Sequence, residues 1–154
     1  MKTMQKITPF LWFDNNVEEA IDFYTGIFKN FKVSSINHLK GMGDKAFSAT
    51  FELEGQQFMA LNGGPQFKFT EAISFYINCE DQQEIDYYWE KLSAGGSKSR
   101  CGWLKDKFGL SWQVIPANLG ELLYNNDPEK AKKVMDALMQ MDKLDIAALQ
   151  KAGE

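Results

Sequence analysis

The sequence has few of the residues on which small metal-bound or disulfide-stabilised domains are built. Its 154 residues include two cysteines, Cys79 and Cys101, and one histidine, His38. The cysteines lack CxxC spacing, and two are too few for a disulfide scaffold or a Cys-rich zinc site. We therefore expect both cysteines to be reduced, small hydrophobic side chains. A lone histidine such as His38 is more often a surface or core residue than a metal ligand.

The sequence also lacks an excess of positive charge and a long apolar run. Its formal net charge is -4 and its pI is about 5.1. Nucleic-acid binding needs a concentrated basic stripe, whereas lysines and acidic residues are interleaved in this chain. The N-terminal residues contain no apolar core of signal-peptide length, and no segment approaches a membrane span. We expect a cytoplasmic protein that binds neither nucleic acid nor membrane.

Aromatic residues, in contrast, are abundant. The chain has 12 Phe, 5 Tyr and 4 Trp, and hydrophobic residues make up 44% of it. Aromatic side chains dominate the energetics of cores and pockets, so this composition predicts a packed interior with a cavity or an interface. The length suits one domain, or two small repeats that share a core.

The first half of the chain predicts the order strand, helix and three strands. Lys6 to Phe13 is a short apolar run typical of a buried strand. Asp14 to Asn16 then offer an N-cap for an amphipathic helix that begins at Val17. Turn-like segments separate three further predicted strands, which are Phe31 to Leu39, Lys45 to Leu53 and Gln56 to Leu61.

The same order then begins again. Ile73 to Cys79 is a predicted strand, Glu80-Asp81 opens a helix, and Gly95-Gly96 closes it. Arg100 to Leu104 and Leu110 to Ile115 are predicted to be two further strands. The strand and helix pattern therefore recurs after about 65 residues, which indicates an internal repeat.

The C-terminal part is predicted to be helical. Asp127-Pro128 supplies an N-cap followed by proline at the first helical position. An apolar stripe formed by Ala131, Val134, Met135, Leu138 and Met141 should dock on the domain or on a second subunit, and Leu144 to Leu149 should form a final helix. We expect one α+β domain over 1–154, with module 1 at about 5–64, module 2 at about 70–117 and C-terminal helices at about 118–152.

Several segments are similar to one known family. They are ITPFLWFDNNVEEAIDFYTGIF at 7–28, NGG at 62–64, CGWLKDKFGLSWQVIP at 101–116 and MQMDKLDIAALQKA at 139–152. Together they resemble the PhnB-like, 3-demethylubiquinone-9 3-methyltransferase-like group of the vicinal-oxygen-chelate (glyoxalase/bleomycin-resistance) superfamily. The resemblance implies two βαβββ modules that form a curved mixed sheet around a cavity, usually in a homodimer.

The resemblance also implies where a divalent metal would be held. The superfamily's enzymes generally use His, Glu or Gln from the first and last strands of each module. These positions correspond to Thr8, Met59, Ser74 and Gln113. Only Gln113 is a credible ligand, and one amide oxygen cannot hold a metal. We therefore expect neither a metal nor another cofactor.

Other motifs have simpler explanations. Gly63-Gly64 and Gly95-Gly96 do not lie between a strand and a helix, so they are predicted turn glycines and not an S-adenosylmethionine-binding loop. Asp106-Lys107 is interpreted as a polar hairpin turn. Cys101, near Arg100 and Lys105, is either a reactive pocket thiol or, as we expect, an inert buried cysteine.

We therefore predict a metal-independent small-molecule-binding protein with an aromatic concave cavity. The predicted lining comprises Thr8, Phe10 and Trp12 from the first strand, Met59 and Leu61 from the fourth, and Ser74, Tyr76, Trp103 and Gln113 from the second module. The same aromatic residues would otherwise fill the cavity as core. One alternative is an enzyme, either a lyase, isomerase or dioxygenase of the vicinal-oxygen-chelate type or a methyltransferase. Another is an interaction protein that uses its C-terminal helices.

Overall fold

The protein is described by a computed structural model covering residues 5–41 and 43–154. The chain forms two compact units, Met1–Lys68 and Phe69–Glu154. Each unit contains a four-stranded sheet and follows the order strand, helix and three strands. The predicted α+β fold with two βαβββ modules and C-terminal helices is therefore confirmed.

In the first unit one helix packs against a mixed sheet. The elements are β1 (Phe10–Phe13), α1 (Val17–Thr25), β2 (Phe31–Asn37), β3 (Ser48–Leu53) and β4 (Gln56–Asn62). The strand order is β1-β4-β3-β2, with β1 parallel to β4 and the other pairs antiparallel.

The core of the first unit lies between α1 and one face of this sheet. Alternation along β3 buries Ala49, Phe51 and Leu53, because every second side chain points to the helix. The ring of Tyr24 in α1 stacks on Phe51 with the centroids 6.5 Å apart. The opposite side, which we call the α1-distal face, carries Phe10, Trp12, Met59 and Leu61.

Three predicted strand limits in the first unit are too generous. β3 begins at Ser48 and not at Lys45. β1 begins at Phe10 and not at Lys6, so Thr8 precedes the strand. Pro9 has no N–H to donate to a ladder, and its carbonyl accepts the N–H of Met59 where pairing starts. β2 ends at Asn37, which leaves His38 exposed just beyond it.

The second unit repeats this arrangement. Its elements are β5 (Ser74–Cys79), α2 (Gln82–Ser93), β6 (Ser97–Lys98), β7 (Trp103–Lys105) and β8 (Ser111–Pro116), in the sheet order β5-β8-β7-β6. α2 begins where predicted, since the carboxylate of Asp81 accepts the N–H of Glu84 at 2.8 Å. Val114 and Leu104 are buried on the α2 side of the sheet.

The strand β6 was not predicted, and the strand after it begins late. Two residues are too few to show an alternating pattern, so β6 leaves no signal in the sequence. The predicted start at Arg100 is wrong because Cys101 and Gly102 both have positive φ, 61° and 84°. This left-handed turn delays β7 until Trp103.

Three C-terminal helices pack on the second unit. They are α3 (Leu119–Leu123), α4 (Pro128–Leu138) and α5 (Ile146–Ala152), and the predicted N-cap Asp127 accepts the N–H of Glu129 at 3.0 Å. Their buried cluster contains Ile115, Leu119, Val134, Leu138, Leu144 and Leu149. Met135 was predicted to belong to the docking stripe, but it is 42% exposed and lies outside the buried cluster. Within the described residues, no helix is long and apolar enough to cross a membrane.

Candidate functional site

The side of the second sheet opposite α2, which we call the α2-distal face, brings four predicted residues together. Strand register places Tyr76 beside Gln113, and Gln113 beside Trp103 on its other flank. The Gln113 amide donates to the Ser74 hydroxyl at 2.9 Å. The predicted lining from the second module therefore shares one surface, as strand alternation requires.

A cavity of about 250 Å³ opens on the second unit. It is lined by Glu71, Ser97, Lys98, Ser99, Trp103, Leu104, Lys105 and Ser111. Of these, only Trp103 was predicted from the sequence. The register that pairs Lys105 with Ser111 and Ser97 with Lys105 assembles the others, and this register cannot be read from a two-residue strand.

Two polar residues of this cavity, Lys105 and Ser111, face each other on β7 and β8. The Lys105 ammonium forms an ion pair with the Glu71 carboxylate. The hydrogen bond that Lys105 donates in this pair lowers the pKa of Glu71 below its usual range. The Ser111 side chain is fully buried, and its hydroxyl has no hydrogen-bond partner among residues 5–41 and 43–154. Buried polar groups are nearly always paired, so this hydroxyl is an unusual feature of the cavity.

The buried residue Asp106 fixes the hairpin that carries Lys105 and Ser111. Its carboxylate accepts the backbone N–H groups of Phe108 at 2.9 Å and Leu110 at 3.1 Å, and the indole N–H of Trp112 at 2.9 Å. Only 2% of Asp106 is exposed. The interpretation of Asp106 as part of a polar hairpin turn was therefore incomplete, because its carboxylate organises the turn from a buried position.

Tyr76 adds an exposed phenol to the α2-distal face. It is 52% exposed. Partial burial raises the pKa of Tyr76, with smaller contributions from Tyr124 and Cys79. The phenol therefore stays protonated at neutral pH and can donate a hydrogen bond.

In the first unit, the α1-distal face presents part of the predicted lining. Phe10 lies beside Met59 and Trp12 beside Leu61, and Phe10 is 51% exposed. Thr8 precedes the strand, where Gln5 Nε2 lies 3.4 Å from its hydroxyl. Thr8 therefore belongs to a local turn and not to the strand position expected for it.

Trp12 is held in place by the loop that follows β4. Its indole N–H donates to the Gly64 carbonyl at 2.9 Å, and the Phe67 ring meets it edge-on at 5.0 Å. A Cβ at Gly63 would overlap the Trp12 ring. The predicted turn glycines therefore let the loop close over an aromatic side chain. Gly96 also permits a close approach, in this case to the backbone, since a Cβ there would overlap the Lys105 carbonyl oxygen.

The residues at the superfamily's metal positions do not fit a divalent metal. Thr8 lies outside the strand, Met59 offers only a soft thioether, and the Gln113 amide is bonded to the Ser74 hydroxyl. No group of three or more His, Cys, Asp or Glu side chains suited to a metal occurs in the described part of the chain.

The two cysteines have different surroundings, since Cys79 is buried and Cys101 is only partly buried. Cys79 is fully buried, and burial raises its pKa to about 12. The Cys101 thiol lies 3.6 Å from the Leu138 carbonyl and 3.8 Å from the Met139 sulfur. Its backbone N–H donates to Met141, so Cys101 joins the β6–β7 turn to the C-terminal helices.

The family model for 3-demethylubiquinone-9 3-methyltransferase matches residues 5–115. The chain belongs to this family. The match covers both sheets and ends within β8, so the C-terminal helices lie beyond it. Among curated proteins, no sequence matches the chain.

One solved structure supports the same assignment, and a second shares the fold. The PhnB protein from Bacillus cereus, provisionally given the same methyltransferase name, is 38% identical with a TM-score of 0.68 over 73% of this chain and 100% of that one. PA1353 from Pseudomonas aeruginosa is 20% identical, with a TM-score of 0.58 over 71% of this chain and 95% of that one.

A third structure shares the fold at lower identity. The fosfomycin resistance protein FosX from Listeria monocytogenes, solved with Mn(II) and sulfate, is 18% identical, with a TM-score of 0.56 over 78% of this chain and 98% of that one. The chain therefore shares the fold of FosX.

Proposed function

We propose that the protein binds a small organic molecule on the α2-distal face of its second unit, without a metal ion. The observation that carries this proposal is the cavity of about 250 Å³ on that unit. Its lining combines the Trp103 ring, the Lys105 ammonium and several hydroxyl groups. Ligand sites typically have such a mixture, in which aromatic surface provides affinity and a few polar groups fix orientation.

The surroundings of the cavity support a planar or hydrophobic ligand. Tyr76 and Gln113 lie on the same face and offer hydrogen bonds beside the aromatic wall. On the first unit, Phe10 and Met59 are exposed apolar side chains, and Leu61 and Trp12 share their face. We propose that these residues form a second ligand-contacting surface.

A thermal-shift screen in the presence of EDTA tests this function. A ligand that binds only the native state raises the unfolding temperature, so planar aromatic compounds should include some that do so. Trp103→Ala and Gln113→Ala should abolish the shift. The control Lys132→Met, at an exposed position of α4, should retain it. Equal shifts in all variants would contradict the proposed face.

The enzymatic alternative rests on two similarities. The family carries a methyltransferase name, and FosX, which shares the fold, was crystallised with Mn(II). Stoichiometric retention of Mn, Ni, Fe or Zn by the purified protein would favour metal-dependent chemistry. Saturable binding of S-adenosylmethionine would favour methyl transfer. Either result would overturn metal-independent or cofactor-free binding.

We also propose that the protein is a cytoplasmic homodimer. The dimer follows the family resemblance and the abundance of exposed apolar side chains, among them Phe31, Val33 and Ile36 on β2. Sizing chromatography combined with light scattering measures the mass directly. A mass of 17.6 kDa at micromolar concentration would contradict the dimer.

A further inference from the structure

Lys105 and Ser111 face each other across the hairpin of β7 and β8. They are paired in the antiparallel register, so their side chains project from the same face. Residues directly opposite in this way have Cβ atoms about 5 Å apart. Lys105 therefore brings an ammonium group to the same side of the hairpin as Ser111, whose buried hydroxyl has no partner among the described residues.

The Glu71 carboxylate indicates which kind of ligand group Lys105 can bind. It pairs with Lys105, and both side chains are substantially exposed, at 63% and 37% respectively. Exposed ion pairs contribute little net free energy because solvent competes for both partners. A carboxylate supplied from solution can therefore displace Glu71 at little cost.

We infer that the cavity binds a small planar carboxylate, which replaces Glu71 on Lys105 and accepts a second hydrogen bond from Ser111. This inference rests on the proposed small-molecule function and narrows its ligand class. A carboxylate has two accepting oxygens, which match one ammonium donor and one hydroxyl donor. The Trp103 ring, also in the lining, provides apolar surface for the body of the ligand.

A charged ligand suits the lining better than a neutral one. Lys98, the other cation in the lining, pairs with Glu90 on α2 at 3.0 Å, whereas Lys105 is the lysine that lies directly opposite Ser111. A neutral ligand would leave the Lys105–Glu71 pair intact and gain no charge-assisted hydrogen bond. A cation would meet the Lys105 ammonium.

The Ser111 hydroxyl lies beneath the surface of the cavity, since none of the residue is exposed. A ligand reaches it when a neighbouring side chain shifts. Lys105 is the residue directly across the strand pair, and release of Glu71 frees its long flexible stem. Ligand binding and the loss of the Glu71 contact are therefore coupled.

The test compares benzoate with benzamide, which has nearly the same shape but no charge. Both are titrated into the full chain by calorimetry, and backbone amide shifts for residues 97–111 are followed by NMR. Benzoate should bind at least about tenfold more tightly than benzamide, because a charge-assisted hydrogen bond is replaced by a neutral one. Binding should move the amides of Lys105 and Ser111.

Three variants locate the effect. Glu71→Gln removes the internal competitor and should tighten benzoate binding by about two- to fivefold. Lys105→Met should weaken it by at least about tenfold, and Ser111→Ala by about fivefold. Lys132→Met removes a lysine from the exposed pair with Asp136 and should change nothing.

The outcomes separate this inference from the general function. Equal binding of benzoate and benzamide, with Glu71→Gln unchanged, would overturn the carboxylate assignment and leave small-molecule binding intact. Benzoate binding that moves only amides outside 97–111 would overturn the cavity assignment. If no compound of the wider aromatic screen binds either, the proposed function also fails.

Discussion

Asp106 organises the turn between β7 and β8 in the second unit. Its carboxylate accepts N–H groups from Phe108, Leu110 and Trp112 in a buried position. In Asp106→Asn, the amide N–H₂ replaces one accepting oxygen and faces a donor. We expect a loss of about 1–3 kcal/mol in the free energy of unfolding, since a buried donor is left unpaired.

Urea denaturation measures this loss, and Asp136→Asn is the matched control. Asp136 is 63% exposed in its side chain and pairs with Lys132 along the surface of α4. The control should change the free energy of unfolding by less than about 0.5 kcal/mol. Equal midpoints for the two variants would mean that Asp106 does not organise the turn.

Ser111 should show opposite effects on stability and on binding. Its buried hydroxyl has no partner within the described residues, so Ser111→Ala removes an unsatisfied polar group. We expect the free energy of unfolding to rise by about 1 kcal/mol, although ligand binding weakens. The measurement is urea denaturation without ligand, with Ser97→Ala, an exposed serine of the same cavity, as control. A clear destabilisation by Ser111→Ala would show that the hydroxyl is satisfied in solution.

At the scale of secondary-structure elements, α1 is capped from a distant strand. Asn16 occupies the N-cap position but makes no capping side-chain hydrogen bond within the described part of the chain. The amide oxygen of Asn62, in β4, accepts the Val17 N–H at 3.0 Å, and its N–H₂ group donates to the Ala46 carbonyl at 2.7 Å. The cap was predicted among residues 14–16 because a polar cluster precedes the helix there. A contact between residues 45 positions apart leaves no such local signal.

Substitution of these two asparagines distinguishes the two caps. Asn62→Ala should lower the free energy of unfolding by about 1–2 kcal/mol, as loss of a helix cap and a second hydrogen bond does. Asn16→Ala should lower it by no more than about 0.5 kcal/mol. Thermal and urea unfolding of both variants provide the comparison. A larger effect at Asn16 would restore the local cap.

The part of the chain beyond the family match secures the turn between β6 and β7. Cys101 and Gly102 donate their N–H groups to the carbonyls of Met141 and Asp142 at 2.8 and 2.7 Å. Gln82 in α2 donates to the Leu144 carbonyl and accepts the Ile146 N–H, both at 2.9 Å. The segment between α4 and α5 therefore fixes the turn that leads from β6 into β7.

At the scale of the whole molecule, the order of elements could be predicted because its signals are local. Alternation in β3 and the caps Asp81 and Asp127 are each encoded within a few residues. Alternation along β5 and β8 correctly predicted that Tyr76 and Gln113 share one face. The expectation of one domain over the entire chain stays a prediction.

The cavity itself could not be predicted. It depends on a two-residue strand, on the register that sets Lys105 opposite Ser111, and on Glu71, which precedes the second sheet. These contacts are non-local, and each serine or lysine looks like an ordinary surface residue in the sequence. Strand register is determined by packing and turn geometry, which the local pattern leaves open.

The central claim is that the α2-distal face of the second unit binds small molecules without a metal. The most direct measurement is an NMR titration of the isotopically labelled chain in EDTA with planar aromatic compounds, starting with benzoate. We predict saturable shifts that cluster at the amides of residues 97–113 and disappear in Trp103→Ala. Shifts confined to other residues, or binding that appears only after a divalent metal is added, would contradict the claim.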